Sequence, residues 1–173
     1  MKDNIVLIGM PGVGKSTVGV ILAKTLGMNF VDTDLVIQEK EKKLLHEIIA
    51  EKGVDGFLNT EETIVGNVDV SNSVIATGGS VVYGKKAMQH LKDTGTVVYL
   101  KLSLEAVSAR LSDIKGRGVV LKPGQTFEAL YDERVKLYAD YADITIDEEG
   151  LSIEQTVEAA ATQLNIKTKK AGK

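Results

Sequence analysis

The chain has 173 residues, of which 43% are hydrophobic and 26% charged, and its formal net charge is −3. These values fit one globular domain with a sizeable core, and the lack of a basic surplus argues against a nucleic-acid partner. With no cysteine, disulfides and thiolate metal sites are excluded, and since no apolar run suits a signal sequence or a membrane helix, we expect a cytoplasmic protein with no membrane partner.

Segments typical of buried strands alternate with helical segments along the chain. Apolar runs rich in β-branched residues predict five strands covered on both faces, at residues 4–9, 29–34, 72–79, 95–102 and 142–147. Helical periodicity predicts helices between and after them, at residues 16–27, 34–53, 83–95, 103–116, 126–142 and 152–165. This alternation predicts right-handed βαβ units and therefore a parallel sheet in an α/β fold.

A glycine-rich loop lies between the first strand and the first helix, in "IVLIGMPGVGKSTVG" (5–19). Gly9, Gly14, Lys15 and Ser16 match G-x-x-x-x-G-K-[ST] in the strand–loop–helix context that the motif requires. Glycines let successive backbone N–H groups form an anion-binding nest, to which the start of the helix adds its dipole. We therefore expect Lys15 to reach the β- and γ-phosphates of a nucleoside triphosphate, and Ser16 to offer its hydroxyl to Mg²⁺. No N-K-x-D motif follows, which argues against a GTPase.

Two carboxylates follow the second strand, in "FVDTD" (30–34). Asp32 and Asp34 lie two residues apart at the end of a strand, where α/β sheets bind their ligands. One carboxylate could support Mg²⁺ while the other orients an attacking hydroxyl or accepts its proton. The alternative is that they cap the next helix, which Asp34 could do in either case.

Arginine is concentrated in one part of the chain. Of the 21 basic residues only three are arginines, namely Arg110, Arg117 and Arg134. They lie in or on either side of a glycine-rich segment at 113–126, which we interpret as a loop or a lid. Arginine suits phosphate, carboxylate and base stacking better than lysine does. His46 and His90 lie in charged helical segments, and we interpret both as surface residues without a catalytic role.

Several stretches, in the same order, resemble the shikimate kinases, relatives of the nucleoside monophosphate kinases. They include "GMPGVGKSTVG", "FVDTD", "EIIAEKGVDGFLNTEE", "VIATGGS", "RLSDIKGRGVV" and "ERVKLYADYADITID", and the resemblance covers nearly the whole chain. It implies a three-layer P-loop NTPase fold whose five-stranded parallel sheet has the order 2-3-1-4-5. The domain would span residues 1–166, with a substrate-binding segment at about 34–62, a lid at about 112–125 and a flexible basic tail at 167–173.

The resemblance also implies ATP, Mg²⁺ and a set of site residues. Lys15, Asp34 and Arg117 would be catalytic, and Ser16 and Asp32 would serve Mg²⁺. Nucleotide-binding residues would be Gly12, Gly14, Lys15, Ser16, Thr17, Arg110 and Arg117. Acceptor-binding residues would be Asp34, Leu58, Gly78, Gly79 and Arg134. The expected activity is transfer of the γ-phosphoryl group of ATP to shikimate by a monomeric enzyme.

The chain departs from the family pattern at the acceptor site. Where the family has F-R-x-x-E, with an arginine that grips the carboxylate of shikimate, this chain has Leu58. Ser80 replaces a third glycine, Gly118 replaces a proline after Arg117, and Lys136 replaces a proline in R-x-P-L-Y. Losing one charge-assisted pair costs about 1.5–3 kcal/mol, or about tenfold to hundredfold in affinity. Arg134 alone or with Lys136 could hold shikimate; the alternatives are another hydroxy or polyol acceptor, or a non-catalytic nucleotide-binding regulator.

Overall fold

One parallel sheet forms the centre of the fold. The structure, a computed structural model, describes residues 2–112 and 119–165. The strands pair in parallel in the order β2-β3-β1-β4-β5, which confirms the expected topology, and each strand is shorter than its predicted range. Their bounds are β1 Asn4–Ile8, β2 Asn29–Asp32, β3 Ser73–Ala76, β4 Gly95–Lys101 and β5 Ile144–Asp147.

Helices connect the strands and complete the three layers. No helix within the described ranges is long and apolar enough to cross a membrane. A short 3-10 helix spans Val81–Tyr83, and the α-helices are α1 Lys15–Leu26, α2 Thr33–Glu41, α3 Leu45–Val65, α4 Lys85–Thr94, α5 Leu104–Ser112, α6 Phe127–Tyr141 and α7 Ile153–Gln163.

The prediction of a single helix over residues 34–53 is wrong. Two helices occupy this region, because Lys42 adopts the left-handed conformation (φ 57°) and ends α2. The second helix then begins after Leu44, whose backbone N–H donates to the Glu47 side chain at 2.7 Å. This second helix ends at Val65 and has a kink at Gly53, whose φ of 71° and ψ of 178° are not helical. Nothing in the sequence marks a lysine that will be left-handed. The prediction, which used hydrophobic periodicity alone, therefore merged the two helices into one.

The central strand positions the glycine loop. β1 is completely buried and lies between β3 and β4. The strand order runs from β1 to β3 and β2 on one side of the sheet, and to β4 and β5 on the other. In open α/β sheets such a switch point leaves a crevice at the carboxyl ends of the strands, where ligands bind. The loop from Gly9 to Gly14 lies at this point and leads into α1, which ends at Gly27 (φ 70°) as predicted.

The first glycine of the loop is needed for its close packing against β4. Gly9 has φ 151°, and a Cβ atom there would lie 2.6 Å from the carbonyl oxygen of Leu100. We expect Gly9→Ala to lower the free energy of unfolding by about 3 kcal/mol, because the clash adds to the backbone strain. Gly150→Ala is the matched control, since φ is 74° there but no atom lies within 4 Å, and it should cost about 1 kcal/mol. Equal losses in urea unfolding would show that the clash is relieved.

Candidate active site

A cavity of about 490 Å³ lies at the carboxyl ends of the central strands. Its walls come from the glycine loop, the end of β2, helices α2 and α3, the turn after β3, and α6. The cavity therefore collects residues that are far apart in the sequence. Ten of the predicted site residues line it, namely Gly12, Gly14, Lys15, Ser16, Thr17, Asp32, Asp34, Gly78, Gly79 and Arg134.

The glycine loop forms one wall of the cavity. Lys15 is only 8% exposed, and its Nζ donates to the carbonyl oxygens of Gly9 at 2.7 Å and Met10 at 2.8 Å. Gly14 precedes α1 in the left-handed conformation, and no side chain caps this helix. The first N–H groups of α1 thus have no partner within the helix, as an anion site requires. Burial lowers the pKa of Lys15 to about 8, and the charge of Asp34 opposes this shift.

Two oxygen groups meet beside this loop. The Ser16 hydroxyl donates to Asp32 Oδ2 at 2.7 Å. The other carboxylate oxygen of Asp32 accepts the backbone N–H of Asp34 at 3.0 Å, so Asp32 is the N-cap of α2. The expectation that Asp34 could serve as this cap is therefore wrong, because α2 begins one residue earlier than Asp34.

The turn after β3 narrows the middle of the cavity. A Cβ atom on Gly78 would lie 2.8 Å from Asp34 Oδ1, and one on Gly79 would lie 2.8 Å from the Pro11 ring and 3.0 Å from Arg134 Nη1. The Gly79 carbonyl accepts the Tyr138 hydroxyl at 2.6 Å. Gly79 is thus required by its close approach to the Pro11 ring, whereas a Cβ atom on Gly78 would displace the end of the flexible Asp34 side chain. The two glycines bring backbone next to the Asp34 carboxylate and the Arg134 guanidinium.

Arg134 of α6 contributes a buried cation to the lining of the cavity. It is 1% exposed, its Nη2 donates to the Val120 carbonyl at 3.1 Å, and its Cζ lies 5.4 Å from the centre of the Tyr83 ring. Its Nε has no hydrogen-bond partner among the described residues. A buried cation with a donor to spare is suited to an anionic group on a ligand.

Three predicted site residues lie elsewhere. Leu58 packs against the hydrophobic core and does not line the cavity, whereas the preceding Phe57 does. This differs from the expected position, because successive side chains of α3 point about 100° apart around the helix. Arg110 does not line the cavity either; its Nη1 donates to the Gly12 and Val13 carbonyls of the loop at 3.4 and 3.2 Å. Arg117 lies outside the described residues, as do residues 113–118 of the predicted lid and the basic tail.

Sequence reasoning missed two buried acids. Glu61 is 2% exposed and Glu148 is 3% exposed, and burial raises the pKa of each to about 7. The Ser80 hydroxyl, which lines the cavity, donates to Glu61 Oε2 at 2.6 Å. Glu61 ends the F-x-x-x-E stretch and could have been singled out from that pattern, whereas nothing in the sequence marks Glu148.

The two histidines differ from each other. His46 is exposed, as predicted, but it lines the cavity near the start of α3. The prediction that His90 is a surface residue is wrong, because it is partly buried and its Nε2 lies 2.7 Å from the Val68 carbonyl oxygen.

The arrangement of a glycine loop, an acidic pair and a buried arginine around one cavity agrees with the resemblance found in the sequence. A family model described as shikimate kinase matches residues 11–165. The chain belongs to the shikimate kinase family. It is therefore an ATP-dependent kinase that phosphorylates an alcohol group on a small molecule, and its fold is the P-loop kinase fold that the sequence predicted.

Named relatives extend over nearly the whole chain. A shikimate kinase from Persephonella marina is 38% identical over 89% of this chain and 94% of its own length. One from Bacillus mycoides is 33% identical over 94% of this chain and 98% of its own length. The structure of the shikimate kinase from Acinetobacter baumannii in complex with shikimate matches with a TM-score of 0.84 and 31% identity, and covers 98% of this chain and 97% of that one.

Proposed function

We propose that the protein transfers the γ-phosphoryl group of ATP to shikimate, with Mg²⁺ bound beside the phosphates. The observation that carries the proposal is the position of Arg134, a buried cation that lines the same cavity as Lys15 and Asp34. A phosphate-binding loop and a buried guanidinium whose Nε is unpaired within the described part of the chain are suited to hold the two anionic parts of such a reaction, and the Asp34 carboxylate is suited to the hydroxyl.

At the donor end, the amides of α1 and the Lys15 ammonium would hold the β- and γ-phosphates, with Gly12, Gly14 and Thr17 around them. Arg110, bound to the loop carbonyls, would pack on the adenine, and Arg117 would contact the phosphates. Both arginine roles are proposals from the family resemblance.

Ser16 and Asp32 would hold Mg²⁺. Their hydroxyl and carboxylate oxygens suit a hard cation, which keeps several waters and shares its remaining ligands with phosphates. No group of three or more acidic, histidine or cysteine side chains that could bind a metal occurs in the described ranges, which fits a metal held partly by the nucleotide. When bound, Mg²⁺ would neutralise charge on the transferred group.

In the reaction, Asp34 would orient the acceptor hydroxyl and accept its proton as the oxygen–phosphorus bond forms. The bond from the γ-phosphorus to the bridging oxygen of ADP breaks in the same in-line displacement. Lys15 would stabilise the charge that develops on the phosphoryl oxygens. Gly78 and Gly79 would let the acceptor approach the backbone closely, and the Arg134 guanidinium would bind its carboxylate. Because these groups all come from one chain, we propose that the enzyme acts as a monomer.

A second candidate is a kinase for a hydroxy compound or polyol that has no carboxylate. Leu58 favours it, since it occupies the position at which the family pattern has an arginine for the carboxylate of shikimate. Lys136 offers no replacement, because it is exposed on α6 and does not line the cavity. Without Lys136, Arg134 is the sole cation among the described residues that we propose for binding an acceptor carboxylate.

A coupled ADP-release assay with ATP and Mg²⁺ separates these candidates. We expect a higher kcat/KM with shikimate than with polyols that lack the carboxylate, because Arg134 gains about 1.5–3 kcal/mol only from a charged partner. Equal or better turnover of an uncharged polyol would favour the second candidate. Binding of ATP with no phosphorylation of any acceptor would favour a non-catalytic regulator.

A further inference from the structure

Glu61 is a buried carboxyl group directly behind the turn that narrows the cavity. Its Oε2 accepts the Ser80 hydroxyl at 2.6 Å, while its Oε1 has no hydrogen-bond partner among the described residues. A Cβ atom built on Gly78 would lie 2.9 Å from that oxygen and 2.8 Å from Asp34 Oδ1, so both carboxyl groups border the same glycine. Glu61 therefore lies beside the same glycine as Asp34, the proposed base.

Two of the departures from the family pattern, Ser80 and Leu58, lie close to Glu61 in space or along α3. Ser80 stands where the pattern has a third glycine, and its side chain is the hydrogen-bond donor to Glu61. Leu58 stands where the pattern has an arginine, and positions 58 and 61 are three apart on α3, so that their side chains are neighbours on the helix surface. In this chain position 80 thus supplies a hydroxyl that bonds Glu61, while position 58 supplies an apolar side chain and no cation.

The charges that act on Glu61 come from three helices. Within the described residues, Asp34 of α2 disfavours its ionisation, and Arg134 of α6 and Lys15 of α1 favour it. Burial is the largest influence and raises the pKa of Glu61 to about 7, while the Ser80 hydrogen bond opposes the shift. The carboxyl group can therefore change its charge near neutral pH.

We propose that Glu61, held by Ser80, is a positioning residue that sets the affinity of the enzyme for an anionic acceptor. The affinity is high when the Glu61 carboxyl group is neutral and low when it is charged. The proposal rests on the proposed function, in which Arg134 binds the acceptor carboxylate. A charged Glu61 carboxylate offsets part of the positive potential of Arg134 and repels the acceptor carboxylate. A neutral Glu61 does neither, so the full attraction of the guanidinium acts on the acceptor.

The test is the KM for shikimate between about pH 6 and pH 8.5 in the wild type and three variants. In the wild type, KM should rise about fivefold as the pH passes through about 7, because one charge is added near the acceptor. In Glu61→Gln, KM should stay at its low-pH value. In Ser80→Ala, the rise should move to higher pH, since the hydroxyl no longer stabilises the carboxylate. The control Glu62→Gln, whose carboxylate accepts the Lys86 backbone N–H at 2.9 Å, should keep the wild-type profile.

A second measurement checks that Glu61 titrates in the folded protein and that each variant folds. Because the folded pKa of about 7 lies above the ordinary 4.5, the folded state holds the extra proton across this interval, and stability falls as the pH rises through it. Glu61→Gln should therefore resist urea better than the wild type at about pH 8, with a much smaller difference at about pH 5.

Three results would overturn the proposal. The first is an equal rise of KM in Glu61→Gln and the wild type. The second is a Ser80→Ala profile at the wild-type pH, which also decides the matter if Glu61→Gln does not fold. The third is an equal urea difference at both pH values. If shikimate is phosphorylated in these experiments, the proposed function stands and only this inference fails; if it is not phosphorylated at any pH, both fall together.

Discussion

Replacing Lys15 with methionine should reduce kcat for phosphoryl transfer by about 10³-fold, the loss found when one preorganised donor to a developing negative charge is removed. Methionine keeps nearly the length of the side chain but has no charge and no hydrogen to donate. Lys15 Nζ is held between two loop carbonyls at 2.7 and 2.8 Å, in the loop whose amides would bind the phosphates. The measurement is single-turnover transfer from ATP at saturating acceptor.

The same substitution should leave the fold intact. Burial lowers the pKa of Lys15 from 10.5 to about 8, so the folded protein carries this charge at a cost that decreases as the pH rises between these values. Removing the charge relieves that cost, and we expect a melting temperature at pH 7 equal to or above that of the wild type.

Lys24→Met is the matched control for Lys15→Met, because Lys24 lies exposed in the last turn of the same helix. It should change neither kcat nor the KM for ATP. Wild-type kcat in Lys15→Met would contradict the phosphate role of Lys15, whereas loss of activity together with a much lower melting temperature would show that the lysine acts mainly on the fold.

The fold was predictable because its signals are local. A strand covered on both faces is a continuous apolar run, and the phosphate loop is a short motif between a strand and a helix. The strand order came from the family resemblance, since nothing in the spacing of the strands specifies which of them pair. The break between α2 and α3 was missed because a left-handed Lys42 has the same letter as a helical lysine.

The candidate site was predictable to a smaller extent. Sequence reasoning found Lys15 and the two aspartates through their motifs, and it singled out Arg134 because arginine is scarce in this chain. It could not tell that Leu58 faces the core, because one residue along a helix changes the direction of a side chain. The hydrogen bond between Ser80 and Glu61 joins residues that are 19 apart in the sequence, and such a pairing depends on how α3 packs beside the sheet.

Binding of the acceptor should depend on Arg134. In Arg134→Lys the charge remains but the planar pair of donors is lost, and a lysine cannot bind a carboxylate through two parallel hydrogen bonds. Because position 58 has no arginine that could also bind the carboxylate, we expect the KM for shikimate to rise about 30–100-fold, which corresponds to about 2–3 kcal/mol. The KM for ATP should stay within about twofold, because Arg134 is not among the groups proposed to hold the nucleotide.

Arg110→Lys is the control for this change at the proposed nucleotide site. Arg110 is exposed and bonded to the loop carbonyls, so its replacement should raise the KM for ATP and leave that for shikimate unchanged. Thermal melting of Arg134→Lys is needed beside the kinetics, because Arg134 also bonds the Val120 carbonyl and packs on Tyr83. If the folded variant kept its KM for shikimate, the carboxylate would bind elsewhere, and Leu58 would then mark an acceptor pocket with a different chemistry.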